Sequence, residues 1–284
     1  MVYKTVTFKT VGDVKLDTRV FTPEANATEG HSMFAPPAGR RPAFVFFACG
    51  GWNGFEVEGL TSQCTYLAAR GAVCFATLVR VTPVHGTTPA ECVIDAKSAE
   101  RWVRAHAKTY GIDPQKIVTS GGSAAGHVSA CTALIDDFND PADDLAVSCK
   151  PNIVNGFCPA LVIHHTQSRV ERFGGPERAK ALSPILHITP AAPPCLIQYG
   201  GADDVTYPEE GRLFKTELDR HGVKNELHIF PGEGHGFHNY FDGKNPMFYI
   251  THRNLDKFVT SFGFLNGPPT IDTFPFEAAL ARKE

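Results

Sequence analysis

The sequence predicts an α/β fold, a mostly parallel sheet with an N-terminal antiparallel hairpin and helices on both faces. Two observations predict it. From Ala43 onward, short apolar runs alternate with amphipathic stretches, the pattern of successive βαβ units. Before that, residues 3–9 and 14–21 read as two strands joined at a Gly12-Asp13 turn signal, the pattern of a hairpin.

The parallel strands are expected at 43–48, 72–77, 116–120, 153–157, 195–199 and 226–230, and the helices at 58–70, 89–109, 124–135, 209–221 and 246–262. The helix from Pro89 is the clearest. Val93, Ala96, Ala99, Val103 and Ala107 keep helical spacing, and Gly111 with Pro114 marks its end. The polar, Pro- and Gly-containing stretch 22–42 is long for a connection inside a domain, so it is either functional or mobile. It carries an Asn26-Ala27-Thr28 glycosylation sequon, a triplet that also arises by chance. Residues 159–194 are rich in Arg, His and Pro with weak periodicity and read as an insertion over the sheet, a small lid, within one domain spanning 1–284.

Composition narrows the function. An apolar fraction of 43% and a charged fraction of 20% over 284 residues are those of an ordinary globular protein. A formal charge of -3 gives no positive field for a polyanion, so nucleic acid is not an expected partner. The longest apolar stretches, such as residues 43–49, fall far short of a membrane span. Residues 1–9 read as a strand and not as a secretory signal, which leaves the cytoplasm or export with a leader removed. The eight cysteines show no CxxC pair and no metal-type spacing, and most are expected as small buried hydrophobes with free thiols.

The sharpest local feature is Gly121-Gly122-Ser123-Ala124-Ala125-Gly126-His127, between the expected strand 116–120 and helix 124–135. A serine on a tight strand-to-helix turn stands above the carboxyl ends of a parallel sheet, and the helix behind it directs backbone N–H groups toward the reaction centre. Small neighbours avoid clashes where the turn passes the helix and the adjacent strand. The segment departs from G-x-S-x-G, with Ala125 at the second glycine and glycine only at Gly126. Taken alone, it also reads as a plain turn or an anion-binding loop.

Two further regions favour the catalytic reading. Phe46-Phe47-Ala48-Cys49-Gly50-Gly51-Trp52-Asn53 ends the first expected parallel strand, and its glycines let main-chain N–H groups approach a substrate oxygen. Gly50 and Gly51, with the Ala124 N–H, are the expected oxyanion hole. Downstream, Tyr199-Gly200-Gly201-Ala202-Asp203-Asp204 and Pro231-Gly232-Glu233-Gly234-His235-Gly236-Phe237 follow successive strands, so both loops open at the edge that carries Ser123. Ser123 is then the nucleophile, His235 the general base and Asp203 the acid that orients it; adjacent Asp204 stays open as the alternative acid. Trp52, Asn53 and Phe237 flank these loops and are read as substrate-pocket walls, with core packing as the alternative. His127 is read as a helix-anchoring hydrogen-bonder, and His238 as lining the pocket mouth or packing. His164-His165 lack ligand spacing, so no metal is expected there.

Together these segments resemble the α/β-hydrolase serine esterases similar to bacterial acetyl esterases and xylan-type carbohydrate esterases, whose triad follows the same chain order. Residues 46–52, 121–127, 200–203 and 234–237 resemble that family's FFFGGGW, GxSAGGH, GTAD and GHGF segments, within a likeness running from about residue 40 to 265. Trp102-Val103-Arg104-Ala105-His106, Asp143-Asp144-Leu145-Ala146-Val147 and Leu182-Ser183-Pro184 extend it. Cys49 and Ala125 depart from the family's glycines, without removing a catalytic group, and are expected to bear on the acyl pocket. The resemblance implies hydrolysis of short acyl esters with neither cofactor nor metal, acetyl groups on a carbohydrate being the leading substrate. A feruloyl-type or general aryl esterase is the alternative. A serine peptidase or amidase would need a larger gating domain, and a non-catalytic ligand-binding protein gives no reason for Ser123, Asp203 and His235 to occur together. The expected partner is a small-molecule or polysaccharide ester, and oligomeric state stays open.

Overall fold

Alternating side chains in the first twenty residues build one edge of the sheet. The computed structural model describes residues 3–26, 35–54 and 57–281. In chain order the elements are β1 (Lys4–Val11), β2 (Val14–Phe21), α1 (Pro23–Asn26), β3 (Arg41–Ala48), α2 (Thr61–Ala69), β4 (Val73–Leu78), α3 (Thr82–His85), α4 (Pro89–Ala105), α5 (Ala107–Tyr110) and β5 (Ile112–Gly122). They continue with α6 (Ala124–Leu134), β6 (Ile153–Phe157), α7 (Gln167–Arg172), α8 (Pro176–Ala181), β7 (Cys195–Gly200), α9 (Pro208–Arg220), β8 (Asn225–Phe230), α10 (Pro246–Ser261) and α11 (Phe276–Ala281). One sheet holds eight strands in the order β1-β2-β4-β3-β5-β6-β7-β8. β1 and β2 form the expected hairpin, β2 joins β4 antiparallel, and β4, β3, β5, β6, β7 and β8 are mutually parallel.

The inner strands β3, β4 and β6 are almost entirely buried, which is why they read as continuous apolar runs and not as alternation. Residues of α4 and α6 pack with Val45, Phe47 and Phe75 on one face, while residues of α2, α10 and α11 pack with Phe44, Phe46 and Phe21 on the other. The longer expected helices and strands all occur within a few residues of their predicted bounds. The helix from Pro89 is the one that breaks: α4 ends at Ala105 and α5 resumes at Ala107, with the His106 ring bonded to the Trp102 carbonyl at 2.8 Å. Thr88 and Glu91 close a capping box at its start. The short helices α3, α5, α7, α8 and α11 complete too few turns for periodicity to reveal.

The described flanks of the 22–42 connection do not approach Ser123. Gly39 N–H bonds the Gly111 carbonyl at 2.7 Å, and Ala35 with Pro36 fills the space where Gly71 has no side chain. These contacts fix residues 35–39 at the amino ends of the parallel strands, opposite the carboxyl edge, because the chain must enter β3 from that side. Ala27 and Thr28 of the sequon lie outside the described residues. All eight cysteines are buried and free. No described helix is long and apolar enough to cross a membrane.

Two polar groups inside the core shape its stability. Arg70, at the end of α2, makes a two-pronged ion pair with Asp256 of α10, at 2.8 and 3.0 Å, with both side chains fully buried. Tyr66 donates to the same carboxylate. Glu100, on the inner face of α4, has its carboxyl pushed up to about 8 by burial, against the pull of the Arg104 charge.

Asp256→Ala leaves the Arg70 charge buried without its partner and is expected to cost about 3–5 kcal/mol, read as a lower denaturant midpoint at unchanged slope. Because Glu100 holds its proton in the folded state, its contribution to stability is complete below the ordinary carboxylate value of 4.5 and is lost as pH rises toward about 8. Chemical denaturation across that interval should therefore fall more steeply for the parent than for Glu100→Gln; parallel profiles would refute an ionisation at this position.

Candidate active site

The carboxyl ends of β3, β5, β7 and β8 bring the predicted segments to one place. Ser123 follows β5 directly, with φ 55° and ψ -120°, a left-handed conformation that a residue with a side chain rarely adopts. Three contacts hold it. Ser123 N–H donates to the Phe157 carbonyl at 2.8 Å, and its own carbonyl accepts from the His127 and Ala160 amides at 3.0 and 3.2 Å. The turn is closely packed: a Cβ at Gly121 would lie 2.7 Å from the Ala125 methyl, and one at Gly126 the same distance from the Pro159 ring. The alanine at the elbow thus fits because Gly121 makes room for it. Ala124 begins α6, where the first amides have no partner inside the helix.

Asp203 and His235 meet across the ends of β7 and β8, His235 Nδ1 lying 2.9 Å from Asp203 Oδ2. The Asp203 carboxylate is fully buried and its other contacts are equally specific. Oδ1 accepts from the Val205 and Thr206 amides at 2.9 and 3.0 Å, and Oδ2 from the Thr206 hydroxyl at 2.9 Å. Burial works against the charge, but the bonds from His235 and the two amides outweigh it and hold the carboxyl below the usual carboxylate range. Asp204 is exposed and its neighbour takes the histidine. Thr206, whose hydroxyl oxygen also lies 2.9 Å from the Cys158 carbonyl so that the two acceptors share its one proton, escaped the sequence reading because an isolated threonine carries no motif.

Ser123, His235, Gly50, Cys49 and Ala125 line one cavity of about 200 Å³, together with Gln63, His238 and Asn239. His238 stacks flat on Phe157 at 4.8 Å and closes on Gly122, where a Cβ would meet its ring at 2.5 Å. Burial pushes its value down to about 3, so the ring is neutral beside His235.

The glycine loop after β3 is shaped by left-handed residues at Gly51 (φ 57°) and Trp52 (φ 59°). Amides of Trp52, Asn53 and Gly54 are consumed inside it, on the Cys49 and Gly50 carbonyls. Trp52, one of the expected pocket walls, turns inward instead. Its indole N–H donates to His127 Nδ1 at 3.1 Å, while His127 Nε2 bonds the Leu182 carbonyl at 2.8 Å. Burial drives the His127 value to about 4, so this ring is a neutral bridge. Phe173 packs edge-on against both rings, and the Arg172 guanidinium donates to the Gly51 carbonyl at 2.7 Å. Asn53 is exposed and Phe237 packs in the core against Phe230; neither lines the Ser123 cavity. The physical reason is size: an indole or phenyl beside the turn gains more from burial than from facing water.

Residues 159–194, expected as a lid, lie beside the glycine loop, through Arg172 on the Gly51 carbonyl and Phe173 on Trp52. No residue of the segment lines the cavity, and its α7 and α8 are anchored through Arg169, which pairs with Glu210 at 2.7 Å, and through buried Phe173, Ala179 and Leu182. Among the described residues, only Cys158, Asp203 and His235 bring three metal-type ligand atoms together. That set suits proton chemistry better than a cation. Burial raises the Cys158 thiol to about 12, which keeps it protonated, and both Asp203 oxygens are already committed to hydrogen bonds.

Comparison with known proteins bears on this geometry. The chain matches the family described as BD-FAE over residues 33–218. Esterase 2 of Thermogutta terrifontis, in a structure phosphoramylated by tabun, is 38% identical with a TM-score of 0.85, covering 93% of this chain and 96% of that one. Its propionate-bound structure is also 38% identical, with a TM-score of 0.84 over the same shares. Esterase LipC of Mycobacterium tuberculosis (strain ATCC 25618 / H37Rv) is 30% identical over 227 residues, 71% of this chain and 54% of LipC. The chain spans about half the length of the curated relatives it matches. A match covering more than half of the chain, with the sheet order and the serine turn described above, places it in the BD-FAE family of α/β-hydrolase-fold esterases.

Proposed function

We propose that this chain is a serine carboxylic ester hydrolase acting on short-chain acyl esters, with acetyl groups on a carbohydrate as the leading substrate. The observation that carries this reading is that His235, backed by its bond to buried Asp203, lines the same cavity as Ser123 on its left-handed turn. The whole of 1–284 is taken as one domain, with 159–194 as its insertion.

With His235 Nδ1–H donating to ionised Asp203, Nε2 is left as the acceptor for the Ser123 hydroxyl proton. Ser123 Oγ attacks the ester carbonyl, and the amides of Gly50, Gly51 and Ala124 receive the charge that develops on its oxygen. His235 then returns the proton to the departing alcohol, leaving an acyl group on Ser123. Water, deprotonated by the same imidazole, releases the acid and restores the hydroxyl. A cavity of about 200 Å³ suits an acyl group of a few carbons. The propionate held by the Thermogutta terrifontis esterase 2 is of that size.

The test is an acyl series on aryl esters from acetate to octanoate, with acetylated xylan and methyl ferulate beside it. Preference for acetate with release of acetate from the polymer supports the reading; preference for ferulate replaces it with the aromatic-acyl alternative. Ser123→Ala is expected to remove about 10³-fold or more of kcat, and Asp203→Asn about 10³–10⁴-fold with the fold intact by circular dichroism. Asp204→Asn should remain within about twofold of the parent, since surface changes away from a site usually matter little. Arg172→Ala frees the Gly51 carbonyl and should lower kcat about tenfold with a smaller change in KM, because oxyanion donors act mainly in the transition state. A tenfold rise in KM with kcat unchanged would assign Arg172 to substrate binding instead.

A further inference from the structure

One polar side chain in the Ser123 cavity takes no part in the reaction as drawn above. Gln63 lines that cavity and is only 7% exposed, and among the described residues nothing hydrogen-bonds its carboxamide. Neither of its polar atoms is sealed off by packing, so both open into the cavity. Its depth follows from the helix. α2 runs from the carboxyl edge of the sheet back toward the amino ends of the strands, which puts Gln63 one turn below exposed Gly59 and half-buried Leu60 at the mouth. A buried amide without a partner is unfavourable, and such a group is retained where something else completes its bonds.

The rest of the lining says what that something is. Ala48, Cys49, Leu60 and Ala125 supply apolar walls. His238 adds a second neutral polar group: its ring is uncharged, Nδ1 lies 3.9 Å from the Cys158 sulfur, and Nε2 abuts Gly122, next to Ser123. Among the described residues that line the cavity there is no Lys, Arg, Asp or Glu. A carboxylate or an ammonium on the acyl group would therefore be buried there without a counter-charge. A hydroxyl fits, because it donates and accepts, as a carboxamide does. A hydrocarbon chain long enough to reach Gln63 would leave the amide cut off from water and unsatisfied.

We propose that Gln63 is a specificity-determining residue for the acyl half of the ester, and that among acyl groups of equal length the cavity favours the one that bears a hydroxyl, as in a short hydroxyalkanoate ester. The proposal rests on the ester-hydrolase reading above and deepens its acyl side. An acetyl group needs only the apolar walls near Ser123. A longer acyl chain reaches the carboxamide, and its hydroxyl then supplies the hydrogen bond that the protein itself does not. A site built to bond a hydroxyl discriminates against the analogue lacking it, because the site's own polar group is then left unpaired.

The test pairs ethyl β-hydroxybutyrate with ethyl butyrate on the parent, Gln63→Leu and Gln63→Met. Comparing the ratio of kcat/KM for the hydroxy ester over the plain one between proteins cancels the intrinsic reactivity of the two esters. That ratio is expected to fall about tenfold from the parent to either variant, the worth of one buried hydrogen bond. An unchanged ratio overturns the proposal, and an unchanged ratio with a lower melting temperature assigns Gln63 to packing instead. Saturation-transfer NMR of free β-hydroxybutyrate and butyrate on the parent reads the same contact without turnover and without a variant. Tighter binding of the hydroxy acid supports the proposal; equal or weaker binding overturns it. Should the parent hydrolyse neither ester, the ester-hydrolase reading falls on that result, while the NMR comparison still decides the role of Gln63.

Discussion

Everything at the carboxyl edge of this sheet depends on one backbone conformation, the left-handed turn at Ser123. A residue with a side chain pays about 1–3 kcal/mol to hold it. The surroundings impose it: the Phe157 carbonyl takes the Ser123 amide, Ala160 and His127 bond its carbonyl, and the packing of Gly121 on Ala125 and of Gly126 on Pro159 leaves no slack. The consequence is geometric. With the chain reversing within a residue, the serine side chain projects off the sheet while the first amides of α6 remain close behind it.

A second conformation of the same kind, at Gly51 and Trp52, is supported from an element far away in sequence. Trp52, His127, Phe173 and Arg172 form a continuous contact from the glycine loop through α6 to the insertion. Residues 172 and 173 therefore buttress the loop from outside it. This explains why a segment with such weak periodicity nevertheless buries Phe173, Ala179 and Leu182, which join the main core beside Trp52 and the residues of α4 and α6.

Burial sets the charge state around the site as firmly as it sets the shape. His127, His238 and His252, the last a residue of α10 stacked on Phe157 at 5.0 Å, are all driven well below the ordinary imidazole value by burial and enter the working pH range neutral. Asp203 goes the other way because its hydrogen bonds outweigh its burial. One ionised carboxylate among neutral rings leaves His235, which retains 27% of its side-chain exposure, as the histidine next to a fixed negative charge. Since charge at a buried site is stabilised only by directed partners, this arrangement distinguishes His235 from the other histidines on physical grounds.

The sequence by itself determined the parallel strands, the hairpin, the longer helices and the order of the loops that carry Ser123, Asp203 and His235, because period and turn chemistry are local properties. It also brought Gly50 to the cavity, since a strand end with paired glycines leaves few other places for the chain to go. Tertiary structure alone decided between Asp203 and Asp204 as the partner of His235, turned Trp52 into the core, moved residues 35–39 to the far edge and set residues 172 and 173 against the glycine loop. It also supplied Thr206 and Arg172. Each of these is a contact between residues distant along the chain, and a contact of that kind is fixed by packing and by the competition for buried hydrogen bonds, neither of which leaves a period or a motif in the sequence.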